Sequence, residues 1–151
     1  MTASHQLTSN EIAKALHTVF DSQIINYGAY NLVFATGSAI YRNSDVASLQ
    51  EDEQRYFLVG YRDTPREAII APLDLPQIRS LGTPTSIDNT NAARTFAVTD
   101  LNFGLEATNG TSFSLTFDPK HFVETSQGSG VLDQALDIED FKRVIIDAWA
   151  L

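Results

Sequence analysis

The side chains with the clearest potential for chemistry lie late in the chain, around His121. Asp118 and Glu124 flank this histidine at spacings of three. On one helical turn these three side chains would converge, and a carboxylate–histidine pair serves as a general base or as a metal ligand. Asp118 also suits the cap of a short helix, and no second histidine is close in sequence. We therefore assign no catalytic residue, no metal site and no cofactor.

The other polar groupings have simpler structural explanations. His5 is expected to be solvated in a terminal tail, and His17 to be half-exposed on a first helix, beside its apolar face. The acidic residues 51–53 could hold a hard cation but lack the alternating oxygen ligands and fixed glycine of a calcium loop, so we interpret them as a solvated loop. The triplet 109–111 matches a glycosylation sequon, which a hairpin turn explains. The chain has no cysteine, which excludes thiolate chemistry and disulfides.

Most arginines fall in the central third of the chain. Such a group could recognise carboxylates or phosphates through two hydrogen bonds each. The same stretch also contains eight acidic residues, and we favour pairing of each arginine with one of these acids. The arginines concerned are Arg42, Arg55, Arg62, Arg66, Arg79 and Arg94.

Composition indicates one globular domain over residues 1–151, with residues 1–7 as a flexible tail. The chain is 43% hydrophobic and 19% charged, with a formal net charge of −9. This acidity argues against nucleic-acid and membrane partners, and favours solubility or a partner with a basic surface. No signal peptide or membrane-spanning run is expected, and the expected location is the cytoplasm.

Apolar residues at helical spacing predict an amphipathic helix near each end of the chain. Thr8 and Glu11 have the spacing of a capping box for a helix over residues 9–22. Asp137 is the expected cap of the last helix. The apolar stripe of this last helix consists of Phe141, Val144, Ile145 and Ala148, with Ile138 and Trp149 beside it.

Between the helices the pattern is mainly that of strands. Residues 55–62 and 67–71 predict one hairpin, and Asn109-Gly110 predicts a second between residues 103–108 and 111–117. Short helices are expected over residues 74–81 and from Asp118, and a polar loop over residues 83–93. The predicted fold is therefore α+β, with an antiparallel β-sheet of about six strands covered by the N- and C-terminal amphipathic helices.

No residue-level motif identifies a family, so function is predicted from the general character of the chain. The order of elements resembles pleckstrin-homology-like domains, in which a strand-rich body ends in an amphipathic helix. It also resembles the small acidic dimeric chaperones of type III secretion, with a helix at each end and one between strand groups. We predict a non-enzymatic protein-binding or adaptor domain that self-associates through the C-terminal helix. The alternatives are a small enzyme or ligand-binding protein with an unrecognised site, and a secretion-chaperone-like dimer.

Overall fold

The computed structural model describes residues 6–24, 29–43 and 48–150, without the side chains of residues 42–43 and 48–54. The first helix, α1, spans Ser9–Gln23 and has the predicted capping box: the Glu11 N–H donates to the Thr8 hydroxyl (3.2 Å), and the Thr8 N–H donates to the Glu11 carboxylate (3.0 Å). His5 and the rest of residues 1–5 lie outside the described residues. Gln6 and Leu7, predicted as part of a tail, are held against a later strand at Ser129.

In the described part of the chain ten strands follow α1, and eight of them form one antiparallel sheet. The order of the large sheet is β4-β3-β2-β1-β8-β7-β6, with β5 also paired to β3, while β9 and β10 form a separate hairpin. The strands are β1 Asn31–Asn43, β2 Ser48–Arg62, β3 Glu67–Asp74, β4 Arg79–Ser80, β5 Thr85–Asp88, β6 Ala92–Ala97, β7 Asn102–Ala107, β8 Ser112–Phe117, β9 Lys120–Thr125 and β10 Gly128–Asp133. The α+β class, the antiparallel sheet and both predicted hairpins are confirmed, but the strand count of about six was too low.

Two of the differences lie between β3 and β6. Residues 74–81 form a turn and β4 instead of a helix, because Asp74 ends β3 and pairs with Arg79 (2.7 Å between Oδ2 and Nε) rather than capping a helix. The predicted loop over residues 83–93 contains β5 and the start of β6. Residues 51–53, predicted as a loop, lie in β2.

A further difference is the hairpin β9–β10, which replaces the short helix expected from Asp118. The Asp118 carboxylate accepts the Lys120 N–H (3.0 Å) in a turn, and the chain then extends. Residues 127–130, predicted as a flexible break, contribute to the hairpin turn and the start of β10. Exposed and more buried residues alternate along this strand in the structure, but the adjacent apolar residues Phe122 and Val123 conceal that alternation in the sequence.

Each face of the large sheet is covered, at least in part, by other elements. The C-terminal helix, residues 135–149, packs on one face, whereas α1 and the hairpin β9–β10 pack on the other. This confirms the predicted terminal helices. None of the helices in the described part of the chain is both long and apolar enough to cross a membrane.

The C-terminal helix contains a wider turn that changes which residues it buries. It comprises α2 (Ala135–Phe141), a π-helical segment (Lys142–Ile146) and α3 (Asp147–Trp149). The π segment accommodates an extra residue and rotates the last turn of the helix, so Ile146 is buried and Ala148, predicted on the stripe, is exposed. The helix begins after Gln134, so Asp137 lies in its first turn and is not the cap.

Candidate functional site

His121 lies on β9, so the helical turn on which it would converge with Asp118 and Glu124 does not form. Successive side chains of a strand point to opposite faces, so Glu124 faces away from the sheet whereas His121 packs edge-on against the Phe34 ring (4.6 Å between centroids). Burial lowers the pKa of His121, and the nearby charge of Asp118 only partly opposes this. The imidazole therefore serves as a neutral packing group between the hairpin and the sheet.

His17 lines a crevice between α1 and α2 with two carboxyl groups. The crevice has a volume of about 160 Å³ and is bordered by His17, Asp133 and Asp137. Burial, followed by the charge of Asp140, raises the pKa of Asp137. The crevice could exchange protons with a small polar molecule. Among the described residues, however, no group of three or more His, Asp or Glu side chains is arranged to hold a metal ion.

Gln134 forms the floor of this interhelix crevice. Strand β8 pairs with β1 only from Ala35 onward, so β1 lacks a β8 partner at Phe34. The Gln134 side chain takes that place: its Oε1 accepts the Phe34 N–H (2.8 Å), and its Nε2 donates to the Phe34 carbonyl (2.8 Å) and to the Asp118 carbonyl (3.1 Å). One amide group thus holds the base of the hairpin against the sheet.

The predicted pairing of arginines with acids of the same stretch is confirmed for three of them, and a fourth arginine pairs with an acid outside that stretch. Three pair with an acid of the same central stretch, and the fourth with Glu106 on the neighbouring strand β7. Arg42 lies outside the described side chains. Because each of the four paired guanidinium groups is bound to a carboxylate, these four groups do not form a free anion-binding cluster. The pairs are Arg62–Glu67 (2.9 Å), Arg66–Asp63 (3.1 Å), Arg79–Asp74 (2.7 Å) and Arg94–Glu106.

Comparison of the chain with protein-family models, curated proteins and solved structures finds no match. The two family resemblances therefore depend on the order of elements alone. The helix between strand groups that a chaperone-like order requires is replaced by β4 in the structure.

An open groove of about 460 Å³ runs between β9 and the turn that follows β3. We call it the hairpin groove, and its lining consists of Tyr56, Leu75, Pro76 and residues 122–126. Phe122 is 59% exposed and Tyr56 is 39% exposed. Exposed aromatic side chains beside a cleft are typical of sites that bind other proteins.

Neighbouring elements hold both walls of the hairpin groove in place. At one end the Ser126 N–H donates to the Pro76 carbonyl (2.7 Å), which joins the hairpin tip to the β3–β4 turn. On the floor the Tyr56 ring stacks on the Phe34 ring (5.7 Å between centroids). The inward face of β9 is fixed by the buried Val123. The groove is therefore a preformed feature of the fold.

Phe122 has an apolar neighbour on the outward face of the hairpin. It is paired in register with Val131 of β10, which is 47% exposed. Directly opposite side chains on one face of an antiparallel pair are in contact distance, so the two form one apolar patch. Neither residue was predicted as part of a site, because Phe122 stands next to the equally apolar Val123 and the sequence does not show which of the two is exposed.

The apolar stripe of the C-terminal helix is used within the protein. Phe141 and Ile145 are buried in the core beneath the sheet. Trp149 is partly buried, and its Nε1–H donates to the Asn89 side chain (2.8 Å). Self-association through this helix stays a prediction, but the side chains on which we based it already have intramolecular contacts.

Proposed function

We propose that this protein is a non-enzymatic protein-binding domain that uses the outward face of the β9–β10 hairpin. The observation that carries the proposal is the exposed pair of Phe122 and Val131 beside the hairpin groove. Most other phenylalanines of the described chain are buried in the two cores. An aromatic side chain left at the rim of a preformed groove is suited to insertion into a partner.

The expected contribution of Phe122 follows from its exposed area. Complete burial of a fully exposed phenylalanine side chain contributes about 1.5–3 kcal/mol. Phe122 is 59% exposed, so burial of the remainder contributes about 1–2 kcal/mol, which corresponds to about a 5- to 30-fold change in affinity. The formal net charge of −9 favours a partner with a basic surface, because complementary charge accelerates encounter. The packing of His121 against Phe34 and the four arginine–acid pairs also support a role without chemistry of its own.

The test is site-specific photo-crosslinking in cells that naturally contain the protein. Val131 is replaced by p-benzoylphenylalanine, and the control carries the same group at Leu81, which is exposed elsewhere. We expect discrete protein adducts from position 131 that disappear when Phe122→Lys is added. Equal adduct patterns at both positions, or none at position 131, would contradict the proposal.

A second candidate function is the binding of a small polar ligand in the interhelix crevice. The observation that favours it is the joint presence of His17, Asp133 and Asp137 around one cavity. A fragment screen followed by amide chemical shifts tests this function. Binding that perturbs α1 and α2 together and is lost in His17→Gln supports it, and the absence of any such fragment removes it.

A further inference from the structure

We propose that the hairpin groove binds an extended, basic peptide segment of a partner by adding it as a strand to the free edge of β9. This inference rests on the proposed protein-binding function and specifies its mode. An extended segment that joins a sheet edge gains main-chain hydrogen bonds, and its alternate side chains enter pockets beside the edge. The groove offers both of these features.

The register of the hairpin determines which main-chain groups of β9 are available. Thr125 and Gly128 are register partners on either side of the two-residue turn 126–127, so they form a hydrogen-bonded pair. Hydrogen-bonded and non-hydrogen-bonded pairs alternate along an antiparallel ladder. The N–H and C=O groups of Phe122 and Glu124 consequently point away from β10, toward the groove.

Two further hydrogen bonds agree with this assignment. At the open end of the hairpin the Gln134 N–H donates to the Pro119 carbonyl (2.8 Å), which continues the alternation of hydrogen-bonded pairs. On the opposite edge the Leu7 N–H donates to the Ser129 carbonyl (2.8 Å), as expected for a group that points away from β9. The direction of the free groups on β9 is therefore set by the ladder.

The free stretch of β9 is short and has defined ends. Its first N–H, that of Lys120, donates to the Asp118 carboxylate, and the N–H just beyond it, that of Ser126, donates to the Pro76 carbonyl. Between these two closed ends, no main-chain partner lies within the described residues for Phe122 or Glu124. A bound segment would thus pair over two residues of β9.

Two other strand edges in the described chain are covered in part. The outer edge of β5 is met by the Asn91 side chain, which donates to the Ser86 carbonyl (2.9 Å) and accepts the Asp88 N–H (2.7 Å). The outer side of β6 bridges to Ala150 through Thr95. Natural proteins commonly cover or charge their sheet edges. The edge of β9 has no such cover at Phe122 and Glu124 among the described residues, and it lies beside an apolar groove.

Charge and shape define the expected peptide. Glu124 is the one charged side chain among the lining residues of the groove, and the whole chain has a formal net charge of −9. A lysine or arginine near Glu124 would be complementary. A large apolar side chain of the peptide would contact Tyr56, Leu75 and the Phe122 ring. An extended segment with a basic and an apolar residue therefore matches the site best.

The experiment uses the full chain and a phage-displayed library of random octapeptides selected against it. The best peptides are synthesised and titrated against the wild type, Phe122→Ser, Glu124→Pro and the matched control Glu124→Gln. The proline removes an outward N–H without removing any β9–β10 hydrogen bond, and proline is tolerated on edge strands. We expect about 5- to 30-fold weaker binding for Phe122→Ser and at least about tenfold weaker binding for Glu124→Pro, with a smaller loss for Glu124→Gln.

A scan of the peptide itself tests the same geometry without changing the protein, and therefore remains decisive if Glu124→Pro misfolds. Single N-methyl groups are placed along the peptide, one residue at a time. Addition as a strand predicts that alternate positions weaken binding by at least about tenfold, while intervening positions have little effect, because only alternate N–H groups face β9.

The outcomes separate this inference from the proposed function. Peptides that need Phe122 but tolerate Glu124→Pro and give a flat N-methyl scan overturn strand addition and leave protein binding intact. Failure to select any Phe122-dependent peptide also overturns strand addition. The cross-linking experiment at position 131 then remains a separate test of protein binding. If light scattering shows a dimer that Glu124→Pro dissociates, the occupant is a second copy of this chain and the peptide proposal is wrong.

Discussion

Gln134 is a buried polar residue whose replacement we expect to lower the stability of the fold strongly. It is 2% exposed, and its amide forms three hydrogen bonds to main-chain groups of Phe34 and Asp118. Gln134→Leu keeps a similar volume but leaves one N–H and two C=O groups without these partners. Each unsatisfied buried group costs about 1–3 kcal/mol, and the added apolar burial offsets part of this sum. We expect a loss of about 3–6 kcal/mol, against a typical total stability of about 5–15 kcal/mol.

Urea unfolding followed by circular dichroism measures this loss. The unfolding midpoint should fall while the dependence of the free energy on urea stays the same, since that slope follows the surface exposed on unfolding. Gln127→Leu is the matched control, because Gln127 is exposed in the hairpin turn, and it should change stability by less than about 0.5 kcal/mol. A loss below about 1 kcal/mol for Gln134→Leu would refute the assigned role of the amide.

Three smaller predictions concern burial, packing and capping. The pKa of His121 is lowered in the folded state, so the unfolded state binds the proton more tightly and stability should fall as the pH drops below about 6.5. Urea titrations at pH 7.5 and pH 5 should show a smaller loss of stability for His121→Phe than for the wild type. An equal loss in both proteins contradicts the assignment. Gly60→Ala should cost about 1–3 kcal/mol, because its Cβ would lie 2.2 Å from the Phe20 ring, while Gly82→Ala, with nothing within 4 Å, should be near neutral in the same assay. Thr8→Ala should lower the thermal midpoint through a loss of about 1 kcal/mol, and Thr8→Ser should retain most of that contribution.

The elements that the sequence predicted well are those with strong local signals. The capping box at Thr8 and Glu11 fixes the start of α1, and its apolar face is buried as the spacing indicated. The Asn109-Gly110 turn joins β7 and β8, with Gly110 at a positive φ of 97°. In both places the local hydrogen bonds and the tertiary packing favour the same structure, so neighbouring residues are enough to predict it.

The errors occur where one local signal suits two structures. Asp118 followed by Pro119 is typical of a helix start, yet the same aspartate closes a turn before β9 by accepting the Lys120 N–H. Gly128 and Gly130 suggested flexibility. In the structure Gly128 has a φ of 144° beside the hairpin turn, and a Cβ on Gly130 would lie 2.2 Å from the Leu7 carbonyl oxygen. These constraints come from residues distant in sequence.

Strand β5 was missed because its stabilising partner is distant in the chain. Only Ile87 of its four residues is buried, so it lacks the alternation that predicts a strand. Its structure depends on the free edge of β3, where Ser86 pairs with Ile69. The hairpin groove has the same origin, because Tyr56 and Pro76 meet β9 only after the chain has folded. A single sequence shows the alternation of polar and apolar residues, but it does not show which strand edges remain uncovered in the folded protein.

The way in which strand edges are hydrogen-bonded connects the stability of this fold to its proposed function. Where β1 extends past β8, the Gln134 amide bonds to Phe34 as a strand would, and on the outer edge of β5 the Asn91 amide does the same for Ser86. The same Gln134 amide also bonds to the Asp118 carbonyl, immediately before β9. It therefore positions the hairpin whose own edge lacks such an amide. An incoming extended segment would find uncovered hydrogen-bonding groups on β9, at the place where Phe122 is exposed.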